Sequence, residues 1–260
     1  MCCLALAAGL VGCGVPPPGS PESGTAQATE RLHAEVLETL PHDPNAFTQG
    51  FEISDGILYE GTGLRGRSML RATDVASGTE VATADLPPDL FGEGITVTET
   101  SVWQLTWQAG IAIERDPETL AERRRVRYQG EGWGLCYQEE RDRLVMSDGS
   151  GALTFRDSAT FEPLDTVTVR WADRDVHRLN ELECVGDLVY ANVWQTDTIL
   201  RIDPGQGSVT AEIDASGLLS PGQRGEAGVL NGIAAIPGRD EFLLTGKLWP
   251  SMFRVRFNTE

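Results

Sequence analysis

Positive charge is scarce in this chain. Its 260 residues carry 21 Lys+Arg against 39 Asp+Glu, a formal net charge of −18. Nothing here could neutralise a run of phosphates, which excludes a nucleic-acid partner. The acidic excess reads as a solvated surface that keeps the chain soluble. Every basic residue but one is Arg, and Lys247 is the single lysine. A compact ammonium on a flexible stem is not replaced by a planar guanidinium at a tight site, so a lone lysine among arginines is a candidate functional group. Chance in an arginine-biased composition is the plain alternative. Histidine is equally rare. His33, His42 and His177 show no ligand spacing such as H-E-x-x-H, so no catalytic metal is expected. Sustained helical periodicity is missing too. Parallel βαβ units need helical crossovers, so an α/β fold is excluded.

No apolar run is long enough to span a bilayer. The short one at the start, Cys2 to Gly12, ends in "LVGC" at Leu10–Cys13. It looks like a lipoprotein-type signal peptide (1–12) cleaved before Cys13, which would carry the lipid anchor. A mis-set start or an ordinary cleaved secretory signal is the alternative, because no Lys or Arg precedes the run. Residues 13–30 are rich in Pro, Gly and Ser and read as a flexible tether. The expectation is an extracytoplasmic, membrane-anchored monomer with its folded domain over 31–260. Cys136 and Cys184 then form an even pair outside the cytoplasm, either a disulfide or two buried thiols.

What the chain has in quantity is short alternating runs, such as "SMLRATDVA", "SVWQLTW", "DLVYANVW" and "EFLLTGKLW", separated by Gly, Pro and Asp turn pairs. These read as strands. A weak repeat overlies them: "FTQGFE" from Phe47, "FGEGIT" from Phe91, "GEGWGLC" from Gly130, "RLNELEC" from Arg178 and "VLNGIAA" from Val229. Spacings of roughly 40–50 residues, with four strands per unit, are the mark of a β-propeller. Five copies predict an all-β, five-bladed β-propeller. The ring must close or leave strand edges open. His33–Pro41 is therefore expected to pair with Met252–Phe257.

In such a ring the first strand of each unit lines the axis, so equivalent motif positions meet at one mouth. Gly50, Gly94, Gly132, Gly134 and Gly232 read as packing residues at the crowded centre. Gln49, Glu93, Trp133, Asn180 and Asn231, with Phe47 and Phe91, would converge. Trp107 and Trp194 lie at the same offset after Glu93 and Asn180, and are expected on second strands facing the same mouth. Aromatic walls with a few polar groups describe a small-ligand pocket. Asp148 and Asp197 read as turn and strand-closing residues.

"FTQG", "FGEG", "QLTW", "EGWGL", "SDGS", "LNELE", "ANVWQTD", "VLNGIA" and "TGKLWP" occur in this order over Phe47–Pro250. Together they resemble the plant and bacterial type of glutaminyl-peptide cyclotransferase. The resemblance implies a five-bladed propeller that converts N-terminal glutaminyl residues of peptides to pyroglutamate with loss of ammonia. It implies a pocket of Phe47, Gln49, Phe91, Glu93, Trp107, Trp133, Asn180, Trp194 and Lys247, and no cofactor for catalysis. Cys136 departs from the plant form "EGWGLT". It and Cys184 follow equivalent motifs in neighbouring units, which favours a bridge between adjacent inner strands over free thiols. A structural calcium ion in an acceptor-rich channel is left open.

The chemistry expected of these residues is an acid/base shuttle at Glu93, a donor to the developing oxyanion at Lys247, and orientation of amine and amide by Gln49 and Asn180. Two rivals compete. A non-catalytic, membrane-tethered binding propeller leaves Glu93, Asn180 and Lys247 unexplained. A calcium-dependent hydrolase propeller needs several channel carboxylates and a His, whereas the motifs supply only Glu93 and Glu183.

Overall fold

The computed structural model of the protein describes residues 1–2 and 29–259. Cys13 and nearly all of the signal and tether lie outside the described residues. The fold is all-β, with one 3-10 turn (Glu139–Arg141) as its helical element among the described residues. Strand β1 spans Glu30–Pro41, so Glu30, read from sequence as tether, already belongs to the folded unit.

Three four-stranded antiparallel sheets follow in chain order. The first holds β2 (Thr48–Ser54), β3 (Ile57–Thr62), β4 (Met69–Asp74) and β5 (Glu80–Asp85). The second holds β6 (Gly92–Val97), β7 (Val102–Thr106), β8 (Ile111–Arg115) and β9 (Glu122–Arg127). The third holds β10 (Leu135–Gln138), β11 (Arg143–Ser147), β12 (Ala152–Asp157) and β13 (Pro163–Thr168). A small hairpin, β14 (Arg170–Trp171) and β15 (Arg174–Asp175), leads to β16 (Leu179–Val185), β17 (Leu188–Val193), β18 (Thr198–Asp203) and β19 (Ser208–Asp214). The chain ends with β20 (Leu230–Ala235), β21 (Phe242–Gly246) and β22 (Ser251–Thr259).

β1 pairs antiparallel with β22, from Leu32 opposite Thr259 to Pro41 opposite Ser251. This is the closure expected from the two ends of the domain. A second pairing was not expected. Glu30–His33 also run parallel to Ala211–Asp214 of β19, which joins the last two strand groups into a ten-stranded sheet. The start of β1 covers an edge of β19 that would otherwise offer free backbone groups to another chain. Glu30 is held there by Arg201, 3.0 Å away.

The first strands β2, β6, β10, β16 and β20 pack each against the next, and β20 packs back onto β2. The result is a propeller-like ring. Burial follows radius. Every residue of β6 and β21 is buried, whereas the last strands β5, β9 and β13 are largely exposed. Room at the centre is short. A Cβ on Gly50, Gly94 or Gly134 would run into the backbone of the next inner strand, at Ile95, Leu135 and Asn180 respectively. These three glycines let strands crowd the axis, whereas Gly132 clears the Tyr128 side chain and Gly232 takes a φ of +134°.

A clearer repeat than the glycine motif sits on the rim. Asp74, Asp116, Asp157 and Asp203 each close the turn between the third and fourth strands of a group. Each Oδ1 accepts backbone N–H bonds from two or three residues on, as at Ser77, Thr119, Thr160 and Gln206. Such turns use the short Asp side chain to mimic a backbone acceptor. The repeat's signal in the sequence is an Asp recurring at propeller spacing, outside the glycine motifs.

Cys136 in β10 and Cys184 in β16 form a disulfide, with Cα atoms 5.4 Å apart and a sequence separation of 48. It ties neighbouring inner strands. Closing a loop of that length restricts the unfolded chain, so replacing both cysteines by Ser is expected to cost about 2–4 kcal/mol of stability. Urea denaturation measures this. An unchanged midpoint would show that the ring holds without the cross-link.

Candidate active site

The site is built by a defect repeated in the inner strands. Pairing of β2 with β3 slips between Thr48 and Gly50, and that of β6 with β7 between Gly92 and Ile95. The same happens between Leu179 and Leu182 in β16, and between Leu230 and Ile233 in β20. Each slip is a bulge that inserts an extra residue and re-aims the side chain there. The residues within the bulges are Gln49, Glu93–Gly94, Asn180–Glu181 and Asn231–Gly232. The recurring motif is thus a bulge at the same height in four inner strands.

Gln49, Glu93 and Asn180, with their neighbours, enclose one cavity of about 440 Å3. Phe47, Gln49, Phe91, Glu93, Trp107, Trp133, Asn180, Trp194 and Lys247 all line it, and so do Gln195, Gly228 and Val229. Asn231 is a correction to the expected lining. It stands behind the wall, fully buried, where its Nδ2 donates to Thr48 O (3.0 Å) and Gln49 Oε1 (3.3 Å). That contact occupies the carbonyl end of Gln49 and leaves its NH2 as a donor. Trp107 and Trp194 also depart slightly from expectation, each lying one residue beyond its second strand, β7 or β17.

The aromatic walls interlock at their edges. Phe47 meets Phe91 edge-on at 6.1 Å between ring centroids, and Phe91 meets Trp107 at 5.6 Å. On the other side Trp133 and Trp194 are edge-on at 5.6 Å. Trp133 packs against Gly149, whose φ of +82° and missing Cβ leave space for the indole.

Glu93 is 4% exposed. Burial lifts its carboxyl well above the ordinary 4.5, Lys247 draws it partly back, and Glu131 pushes it up; no hydrogen bond contributes. Lys247 is 7% exposed. Burial lowers its ammonium to about 8, against the opposing pull of Glu93. Its Nζ sits over the Phe47 ring, 5.0 Å from the centroid, where the negative face of the ring attracts a cation. The backbone holds it from both sides: Lys247 N donates to Val229 O (3.0 Å) and Gly228 N donates to Lys247 O (2.7 Å). Leu248 then turns in the left-handed region at φ 60°. Asn180 is 1% exposed, and its Oδ1 has no protein partner. A buried acceptor at the pocket wall is placed to receive an N–H from a ligand.

Trp249, two residues after Lys247, is tied to a charged anchor. His42 Nδ1 meets Trp249 O at 2.7 Å, and its Nε2 meets Glu60 Oε1 at 2.9 Å. Glu60 also accepts from Thr48 Oγ1 (2.7 Å) and Arg71 Nη2 (2.6 Å). Burial alone would raise Glu60, but the hydrogen bonds and charges of His42 and Arg71 hold it at about 2. His42 is lowered by burial but raised by more through Glu60, ending above 6.5. Glu60 therefore stabilises the fold above about pH 4.5 and loses that contribution as pH falls toward 2; His42 contributes below 6.5 and fades as pH rises through its raised value. The melting difference between wild type and Glu60→Gln is expected to be greatest near about pH 6 and to shrink below about pH 4. A difference independent of pH would count against the anchor.

The channel also holds Glu183, which the motifs supply, and two carboxylates that they did not single out, Glu181 and Glu52. Glu181 Oε2 accepts Ile233 N (2.9 Å), Glu183 Oε1 accepts Ala235 N (2.7 Å) and Glu52 Oε1 accepts Val97 N (3.1 Å). Burial raises all three, Glu52 to about 7. Their oxygens satisfy inner-strand N–H groups that no further strand can reach. Asp148 and Asp197 lie outside the cavity. Asp148 closes a turn onto Ser150 N at 2.9 Å, and Asp197 pairs with Arg224 at 3.6 Å. Among the described residues, no three His, Cys, Asp or Glu side chains converge as a metal group.

An acidic group beside an ammonium, two amides and aromatic walls, at the mouth of a propeller-like ring, defines a pocket for acid/base chemistry on a small polar group. The chain belongs to the glutamine cyclotransferase family, whose model matches residues 6–257. It is 37% identical over 228 residues to the glutaminyl-peptide cyclotransferase of Arabidopsis thaliana, covering 85% of this chain and 70% of that protein. A crystal structure of Myxococcus xanthus glutaminyl cyclase superposes with a TM-score of 0.80 at 36% identity, covering 90% of this chain and 100% of that one.

Proposed function

We propose that the chain is a glutaminyl-peptide cyclotransferase, and that it closes the N-terminal glutamine of peptides to pyroglutamate within the cavity described above. The observation that carries this reading is the meeting of Glu93, Lys247, Gln49 and Asn180 in one aromatic cavity. A non-catalytic binding module would not need a desolvated carboxyl beside a desolvated ammonium, each held away from its ordinary ionisation.

The reaction needs no second substrate. The neutral α-amine attacks the carbon of its own side-chain amide, forming the new C–N bond while the carbonyl electron pair moves to oxygen. Lys247 donates to that oxygen as charge develops. Glu93, as carboxylate, takes the proton that the attacking nitrogen sheds. It returns the proton to the amide nitrogen as the old C–N bond breaks, and ammonia leaves. Glu93 ends in its starting state. Gln49 and Asn180 orient the amine and amide, and the aromatic walls fold the side chain into the ring-closing geometry and exclude water.

Incubating the purified domain with a glutamine-initiated peptide tests the reading. The expected product has lost one ammonia, seen by mass spectrometry. Binding without mass change would overturn it in favour of a binding module. The architecture is proposed as a five-bladed propeller, with β20, β21, β22 and β1 as the composite closing blade. A lipid on Cys13 is proposed to hold the domain outside the cytoplasm; failure of Cys13→Ser to abolish fatty-acid labelling would sink that part.

A further inference from the structure

Three pocket walls are indoles, and an indole N–H is a donor with no acceptor capacity. In an aromatic cavity it must find an acceptor or remain unpaired at a cost. Two of the three find the same atom. Glu131 Oε2 accepts Trp107 Nε1 at 2.7 Å and Trp133 Nε1 at 3.0 Å. The other oxygen, Oε1, accepts Gln108 Nε2 at 3.0 Å. Trp107 follows β7 in the second sheet, while Glu131 and Trp133 lie on the link into β10 of the third. One carboxylate therefore bridges two sheets and holds both indoles.

We propose that Glu131 is a positioning residue, whose carboxylate fixes the rings of Trp107 and Trp133 as the facing walls against which the glutaminyl side chain folds. The inference rests on the cyclase reading for its consequence but not for its geometry. Glu131 is absent from the cavity lining itself, so it meets the substrate through the two rings, while its charge also raises the Glu93 carboxyl. Hydrogen bonds from Trp133, Gln108 and Trp107 outweigh burial and hold its carboxyl below the ordinary value, which keeps it ionised. Bonds to an ionised acceptor are shorter and stronger than neutral ones. The backbone reinforces the register: Gly132 N donates to Trp107 O at 3.2 Å, and Trp133 N to Ser147 O at 3.0 Å. Phenylalanine at either position could fill the wall but could not be held this way.

Glu131→Ala and Glu131→Gln separate this from a general structural role. Small misplacements of a positioning wall cost up to about a hundredfold, so Glu131→Ala is expected to lose roughly ten- to a hundredfold in kcat/KM toward a glutamine-initiated peptide. Glu131→Gln still presents one carbonyl oxygen to both indoles and should recover most of that loss. In a Trp107→Phe/Trp133→Phe background, adding Glu131→Ala should change kcat/KM by less than about threefold, because the interaction it serves is already gone. Near-ultraviolet circular dichroism should change in Glu131→Ala and stay near wild type in Glu131→Gln. Wild-type kcat/KM in Glu131→Ala overturns the proposal. So does a Glu131→Gln as impaired as Glu131→Ala, or an undiminished loss in the phenylalanine background. The dichroism needs no turnover: an unaltered indole spectrum in Glu131→Ala overturns the clamp even if the wild type cyclises, whereas a wild type that fails to cyclise sinks the functional reading alone.

Discussion

Glu93→Gln is expected to lower kcat toward a glutamine-initiated peptide by about 10²–10⁴-fold, with KM little changed. The amide keeps the size and the hydrogen-bonding reach of the carboxyl but cannot carry a proton from amine to leaving group. Substrate binding survives because Gln49, Asn180 and the aromatic walls remain. The pH dependence carries a second signature. Glu93 must be ionised to begin the cycle, and burial raises its pKa. The rising limb of kcat should therefore lie well above 4.5, where an ordinary Glu would place it. Near-full turnover in Glu93→Gln would remove the shuttle from the mechanism.

Lys247→Met should cost about 2.7–4 kcal/mol in the barrier, or 10²–10³-fold in kcat, the usual loss on removing one preorganised oxyanion donor. Lys247→Arg should recover little of it. The ammonium sits over Phe47 on a main chain tied to Val229 and Gly228, and a planar guanidinium has neither the same reach nor the same point of charge. The wild-type ammonium, lowered to about 8 by burial, loses its proton above that pH. A falling limb near pH 8 is therefore expected in the wild type and should be absent from Lys247→Arg. Wild-type turnover by the arginine variant would show that the chain's single lysine is an accident of composition.

Much of this was legible before any coordinates. Alternating runs, turn pairs and the spacing of "FTQG", "FGEG", "EGWG", "LNEL" and "LNGI" indicated strands in repeated groups, and the pairing of the first and last strands was anticipated. The nine residues carried over on resemblance do line one cavity. The misses have physical causes. Asn231 was placed in the wall because its motif matches Asn180, but a bulge fixes height, and the neighbouring Gln49 decides who faces the cavity. Glu131 is not legible in the sequence because its role lies in two indole N–H groups whose positions the sequence does not relate. The parallel pairing of β1 with β19 depends on an edge left open by distant strands, and no local pattern records that.

The amino-acid sequence by itself determined the strand pattern, the glycines that let strands approach an axis, the aspartates that close the rim turns and the chemical groups on offer, because each follows from the conformational preferences of a few adjacent residues. Tertiary structure alone decided which groups meet, how Glu93 and Lys247 ionise, and which carboxylates line a pocket and which cap backbone edges. Those properties depend on burial and on distances between segments far apart in sequence, as with Gln49 and Asn231, 182 positions apart. They come into being only when the ring closes and water leaves its centre.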